Sequence, residues 1–302
     1  MTDRQLSDER VGTFTIGGDL TVRRLGFGAM RISGARDTNG VRDRATAREL
    51  VRRVVDRGVN FIDTANIYGY GESEEIIAEA LHPYPAGLVI TTKAGYKPAK
   101  VLPGHVTVPP SGTPEHIREE CDKSLRRLRV DVIDLYQVHA PDPNVPYAET
   151  IGAFVELQQA GKVRHIGISN ITPEQLAFAQ QHCTVTTVQN RYNAGDRTSD
   201  AVIDACEADG IGFMPWAPIL LPSRLVGRVA AEIAATHGAS VQQVALQWLL
   251  HRSPNMLPIP GTSQIGHAES NIDGAWLELT ADDIDRIDTA AGAAAGTDAE
   301  HR

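Results

Sequence analysis

Phe61-Ile62-Asp63-Thr64-Ala65-Asn66-Ile67-Tyr68 is the stretch that decides the fold. An apolar, strand-like run ends on a carboxylate, and a tyrosine follows it. The same event recurs down the chain. Lys93 follows Leu88-Val89-Ile90-Thr91-Thr92, and His139 follows Val132-Ile133-Asp134-Leu135-Tyr136-Gln137-Val138. Ser169-Asn170 follow residues 163–168, and Gln189 follows Thr186-Thr187-Val188. Short β-type runs that end on polar groups gather chemistry at one end of many strands.

Between these runs the spacing is helical. Residues 44–57 carry Leu50, Val51, Val54 and Val55 and are closed by Gly58. Thr113-Pro114 opens a helix whose apolar face is Ile117, Cys121, Leu125 and Leu128. Thr172-Pro173-Glu174-Gln175 and Ser240-Val241-Gln242-Gln243 read as capping boxes. Further helices are expected at 72–81, 147–160, 199–208 and 224–237. Glu72, Glu74 and Glu75 are read as favourable negative charge at a helix N-terminus. Eight strands are expected, at 25–28, 59–63, 88–92, 132–138, 163–168, 185–188, 211–215 and 256–260. Parallel strands joined by helical crossovers close a (β/α)8 TIM barrel, here a single domain over 1–302. Phe14-Thr15-Ile16 and Leu20-Thr21-Val22 flank Gly17-Gly18-Asp19, an N-terminal β-hairpin. Residues 1–11 and 291–302 are expected as flexible tails.

Composition narrows the function classes. Of 302 residues, 42% are hydrophobic and 22% charged, ordinary values for a packed globular chain. The net charge of −9 argues against a nucleic-acid surface, which needs clustered Lys and Arg. The three cysteines, Cys121, Cys183 and Cys206, form no Cys-x-x-Cys pair and point to a reducing compartment without structural zinc. No apolar run approaches the ~18 residues of a membrane span, and residues 1–10 lack a signal-type apolar core. A cytoplasmic location is expected, with neither membrane nor nucleic acid as a partner.

Asp63, Lys93, His139, Ser169, Gln189, Trp216 and Thr262 each lie at or just past the carboxyl end of an expected strand. In this barrel those ends face one way, and active sites sit there. Asp63, Lys93 and His139 follow consecutive strands, and Tyr68 can fold back over them. A phenol with an ordinary pKa near ~10 is a poor acid at neutral pH. A neighbouring Lys93 ammonium is expected to lower it, and Asp63 to keep that ammonium charged. His139 can hold a substrate oxygen. The set protonates a carbonyl oxygen as negative charge develops on it, and it holds no metal. An electron source must come from a cofactor.

The chain resembles the aldo-keto reductases. Phe61-Ile62-Asp63-Thr64-Ala65 with Tyr68, Thr91-Thr92-Lys93, and Leu135-Tyr136-Gln137-Val138-His139 match that family's Asp–Tyr–Lys–His tetrad in order. Gly167-Ile168-Ser169-Asn170, Val188-Gln189-Asn190 and Ile259-Pro260-Gly261-Thr262-Ser263 match its cofactor motifs. The resemblance implies a barrel that binds NADPH across its mouth and reduces a small aldehyde or ketone. By that resemblance Tyr68 is the general acid, Lys93 tunes it, Asp63 pairs with Lys93, and His139 orients the carbonyl. Ser169, Asn170 and Gln189 hold the nicotinamide carboxamide, Trp216 stacks on its ring, and Asn271 binds adenine.

The adenine end departs from the pattern. Many members carry Lys where Gly261 stands and Arg where His267 stands. Gly261, Thr262, Ser263, Gln264 and His267 are the remaining candidates for a phosphate at the following helix N-terminus. NADPH is favoured, with NADH or dual use left open. Met30, Arg31 and Tyr96 are candidate substrate-pocket residues. Two other readings stand beside the reductase. One is a cofactor-binding regulatory subunit on the same fold, as with the potassium-channel β subunits. The other is a Schiff-base aldolase using Lys93. Oligomeric state is not readable from the sequence.

Overall fold

The computed structural model describes residues 4–34, 43–98, 100–102 and 105–299. A short helix α1 (Asp8–Val11) leads into strands β1 (Thr13–Ile16) and β2 (Leu20–Arg23), then β3 (Phe27–Gly28). Helix α2 (Arg44–Asp56) is followed by β4 (Phe61–Asp63), α3 (Glu72–Leu81) and β5 (Val89–Ala94). The long connection at 94–112 holds strands β6 (Lys100–Leu102) and β7 (His105–Thr107). Next come α4 (Pro114–Leu128), β8 (Ile133–Val138), α5 (Tyr147–Gln159), β9 (Val163–Ser169), α6 (Pro173–Gln180) and β10 (Val185–Gln189). The chain then runs through α7 (Asp200–Ala208), β11 (Gly212–Phe213), α8 (Arg224–His237), α9 (Val241–Arg252), α10 (Ile265–Asp273) and α11 (Ala281–Ala299).

Seven parallel strands lie in the order β3-β4-β5-β8-β9-β10-β11. Residues 256–260, expected as an eighth regular strand, close the ring with an irregular backbone instead. Leu257 N–H donates to Phe213 O (2.7 Å), while Gly26 and Gly28 N–H donate to Pro258 O and Pro260 O (3.0 and 3.3 Å). Pro258 and Pro260 have no N–H to give, so the segment cannot complete a ladder on both edges.

The hairpin plugs the amino end of the barrel. Ile16, Leu20 and Val22 pack there with Phe61, Val89, Leu135, Met214 and Leu257. Its turn is pinned by Asp19, which accepts from Arg164 and His165 at 2.6 Å each. Gly17 has φ +62°, and a Cβ there would fall 2.0 Å from the His165 ring, so only glycine fits. Helices cover the outside, with Ile117, Cys121 and Leu128 of α4 buried as their spacing requires.

The stretches expected as tails are partly built into the fold. Leu6 and Val11 are buried, and α11 carries buried Ala291 past the expected end of order at residue 290. Residues 1–3 and 300–302 lie outside the described residues. Among the described residues, no helix is long and apolar enough to cross a membrane.

Candidate active site

Parallel register puts Asp63, Lys93 and His139 at one rim. Asp63 pairs with Thr91, two residues before Lys93 on β5, and Ala94 pairs with Val138, one residue before His139. Tyr68 opens a 3-10 turn over residues 68–71, in which Gly69 and Tyr70 are both left-handed. That turn folds the phenol back over the strand ends.

Lys93 is wholly buried and fully engaged. Its Nζ donates to Asp63 Oδ2 (2.7 Å), Thr64 O (2.8 Å) and Tyr68 Oη (3.4 Å). Burial alone would strip the proton, but Asp63 and Tyr68 outweigh it and raise the ammonium above its usual value. Asp63 Oδ1 takes further hydrogen bonds from Gln189 Nε2 (2.9 Å) and Gln137 Nε2 (3.3 Å).

Lys93 pulls the Tyr68 phenol down as expected, but burial outweighs it. Burial raises the phenol, Lys93 opposes it, Asp63 adds to the rise, and the phenol ends above its ordinary value. The ammonium already serves a carboxylate, so its pull on Tyr68 is partly spent.

His139 stands edge-on to both Tyr68 and Tyr96, with ring centroids 5.9 and 4.7 Å away. Burial, helped by Lys93, drives its imidazolium well below the ordinary value, so the ring is neutral. Its Nδ1 is buried without a partner. A lone pair is less costly there than an orphaned N–H, which puts the proton on Nε2. The unfolded chain takes up this proton below its pKa of ~6.5, and the folded chain does so only at lower pH. Stability from this site therefore falls as pH drops below ~6.5. His139→Gln should lose less stability than wild type between about pH 7.5 and pH 5, read as denaturant midpoints.

Ser169, Asn170, Gln189 and Trp216 form the adjoining wall. Ser169 Oγ donates to Gln189 O (2.6 Å), and Asn170 Nδ2 donates to His139 O (2.9 Å). Asn170 sits at φ 57°, which Asn tolerates better than most residues. Trp216 Nε1 donates to Asn170 Oδ1 (2.9 Å), and the Arg191 guanidinium lies 5.6 Å from its ring centroid. The indole is exposed on the cleft rather than packed in the core.

These side chains border a cleft of about 780 Å³. Its lining includes Met30, Arg31 and Tyr96, and also Gly261, Thr262, Ser263, Gln264, His267 and Asn271. Lys93 lies buried behind the lining residues Asp63 and Tyr68. The sequence reading missed Ala217, Pro218, Ile219, Leu220, Gln242 and Ser270, which also line it. They sit in a loop or on helix faces that carry no periodic signal. Ala217 stands in the left-handed region at φ 55°, a strained conformation for alanine. Among the described residues, no group of three or more His, Cys, Asp or Glu side chains could hold a metal ion.

Gly261 has a steric reason to be glycine. A Cβ there would lie 2.6 Å from Gly28 O. Gly261→Lys, which would install the family's more common residue, is expected to lower stability by about 1–3 kcal/mol without tightening NADPH binding. Denaturant midpoints and a cofactor titration check this. An unchanged midpoint with tighter binding would show that the loop yields.

Residues 24–291 match the model of the aldo/keto reductase family, and the chain belongs to that family. A pyridoxine 4-dehydrogenase from Escherichia coli is 38% identical over 282 residues, covering 91% of this chain and 97% of that protein. An uncharacterised oxidoreductase of Schizosaccharomyces pombe is 37% identical over 280 residues, covering 92% and 90%. The glycerol dehydrogenase of Gluconobacter oxydans superposes with a TM-score of 0.80 at 25% identity, covering 97% of each chain. An aldo/keto reductase of Klebsiella pneumoniae, solved with NADP and acetate, gives 0.76 at 25% identity, covering 92% and 94%. The protein is an NAD(P)H-dependent oxidoreductase with a TIM-barrel fold and an N-terminal hairpin.

Proposed function

We propose that the protein reduces aldehydes or ketones to alcohols with NADPH, Tyr68 supplying the proton. What carries this reading is the contact between the Tyr68 phenol and the buried, charged Lys93 at the floor of the cleft, 3.4 Å apart. The residues suit a nicotinamide cofactor. Ser169, Asn170 and Gln189 offer amide and hydroxyl groups that match a carboxamide. The close-packed Gly28 and Gly261 backbones leave the wall free of side chains. Arg31, facing the cleft, supplies positive charge in an acidic chain. NADP- and NADPH-bound structures of the Klebsiella relatives support the choice of cofactor.

When bound, the cofactor supplies a hydride to the carbonyl carbon. His139 Nε2–H holds the carbonyl oxygen beside the Tyr68 hydroxyl. Tyr68 passes its proton to that oxygen as charge develops, and the Lys93 ammonium stabilises the phenolate left behind. Asp63 keeps Lys93 charged and does not itself exchange a proton with substrate. A charged, carboxylate-bound Lys93 does not suit a Schiff-base nucleophile, which must be a neutral amine.

Pyridoxal is the first substrate to test, because dehydrogenating pyridoxine at its 4 position yields that aldehyde and a similar enzyme bears that name. NADPH consumption over pyridoxal, aromatic aldehydes and short sugar aldehydes should show turnover on at least one, with lower efficiency on NADH. Tight NADPH binding with no consumption across the panel would favour a regulatory subunit. Equal efficiency with NADH would overturn the cofactor preference.

A further inference from the structure

We infer that Arg127, on α4, is a positioning residue that holds the Tyr68 loop and the Lys93 strand in one geometry. The inference rests on the reading of Tyr68 as the proton donor.

Glu74, expected as favourable negative charge at a helix N-terminus, is also completely buried. Its Oε2 accepts from Arg127 Nε at 2.5 Å, and its Oε1 accepts from Thr92 Oγ1 at 2.6 Å. Thr92 is the residue before Lys93, so one carboxylate joins the lysine strand to Arg127. The other arm reaches the tyrosine loop. Arg127 Nη2 lies 3.9 Å from Glu120 Oε2, the same oxygen that accepts from Asn66 Nδ2 at 2.8 Å. Asn66 is two residues before Tyr68, and its N–H donates to Lys93 O at 3.2 Å.

The far end of the loop rests on the same side chain. Gly71 has φ +97°, and a Cβ there would lie 2.6 Å from Arg127 Cδ and Nε. The missing side chain at Gly71 makes the slot that the guanidinium fills. A single, mostly buried guanidinium therefore braces residues 66 and 71 on either side of Tyr68, and Thr92 beside Lys93. Its planar fork serves two carboxylates at once, which a lysine ammonium does less well.

The phenol must stay within reach of both Lys93 and a carbonyl oxygen, and a shift of about 1 Å can cost ~10²-fold in rate. Removing Arg127 leaves the buried Glu74 carboxylate without its cation and empties the slot beside Gly71, while Glu120 keeps Lys123 and Asn66, so the loop loosens at its far end and at Thr92. Arg127 does not line the cleft, so binding should be spared.

The test compares Arg127→Met, Arg127→Lys, Asn66→Ala and Tyr68→Phe in the full-length protein. Readouts are NADPH affinity by fluorescence titration, kcat and KM for an accepted aldehyde, and the pH profile of kcat. Arg127→Met should lose about 10²-fold in kcat with near wild-type KM and NADPH affinity, and its pH profile should shift. Arg127→Lys should recover part of the rate. Asn66→Ala removes only one hydrogen bond to Glu120, so it serves even if Arg127→Met does not fold, and it should lose roughly tenfold in kcat. Wild-type kcat and pH profile in a folded Arg127→Met, or in Asn66→Ala, would overturn the inference. An active Tyr68→Phe would instead overturn the functional reading beneath it.

Discussion

Tyr68→Phe is expected to fold, to bind NADPH with wild-type affinity, and to lose roughly 10²–10⁴-fold in the rate of carbonyl reduction. The phenyl ring keeps its edge contact with His139, so packing is little changed. What disappears is the Tyr68 hydroxyl at Lys93 Nζ, whose other partners among the described residues are Asp63 Oδ2 and Thr64 O. The residues proposed to hold the cofactor, Ser169, Asn170, Trp216 and the cleft-lining part of 261–271, are not altered by the substitution. The loss should therefore fall on kcat and leave NADPH affinity alone. Wild-type tyrosine also carries a pH signature. Its phenol lies above the ordinary value because burial outweighs the Lys93 ammonium. The acid form required for reduction is then present across the neutral range, and kcat should stay level until pH passes ~10. Alcohol oxidation needs the phenolate and should rise with pH over the same range. A reduction rate that falls near neutral pH would point to another group as the acid.

Lys93→Met is expected to impair both stability and turnover, unlike Tyr68→Phe. Lys93 is fully buried, and Asp63 beside it is almost so. Removing the cation leaves an unpaired buried carboxylate, still hydrogen-bonded by Gln137 and Gln189 but with no cation beside it, which typically costs about 3–5 kcal/mol. Adding Asp63→Asn removes that charge, and the double variant should regain most of the lost stability. It should not regain activity, since nothing then stabilises the Tyr68 phenolate. Thermal or denaturant unfolding of the two single variants and the double separates these effects. A double variant as unstable as Lys93→Met would show that the pair's geometry, not its charge, supports the barrel.

The barrel was legible because its signals are local. Capping at Thr172 and Ser240, the Gly17-Gly18-Asp19 turn, and apolar runs ending on Asp63, Lys93 and His139 each follow from neighbouring residues. The eighth position was misread in kind, because Pro258 and Pro260 give an apolar run without the donors a strand needs. The first strands of the long connection, β6 and β7, were hidden by a segment rich in proline and glycine.

At the site, residue types and order pointed to the tetrad, while energetics did not. Lys93 lowers Tyr68, but where the phenol ends depends on burial against charge, and burial is set by the packed loop. Glu74 shows the same limit. Three acidic residues at a helix start look alike in sequence, yet only the fold brings Arg127 to Glu74 across 53 positions. The cleft wall at Ala217, Pro218, Ile219 and Leu220 escaped because loop residues have no period to read.

Single-turnover reduction of an accepted aldehyde, with NADPH deuterated at the transferred position, tests the central claim most directly. Wild type should place the deuterium on the carbinol carbon of the alcohol, and Tyr68→Phe, equally loaded with cofactor, should do so at least about a hundredfold more slowly. Label retained on the cofactor in wild type, or equal transfer rates in the two proteins, would contradict it.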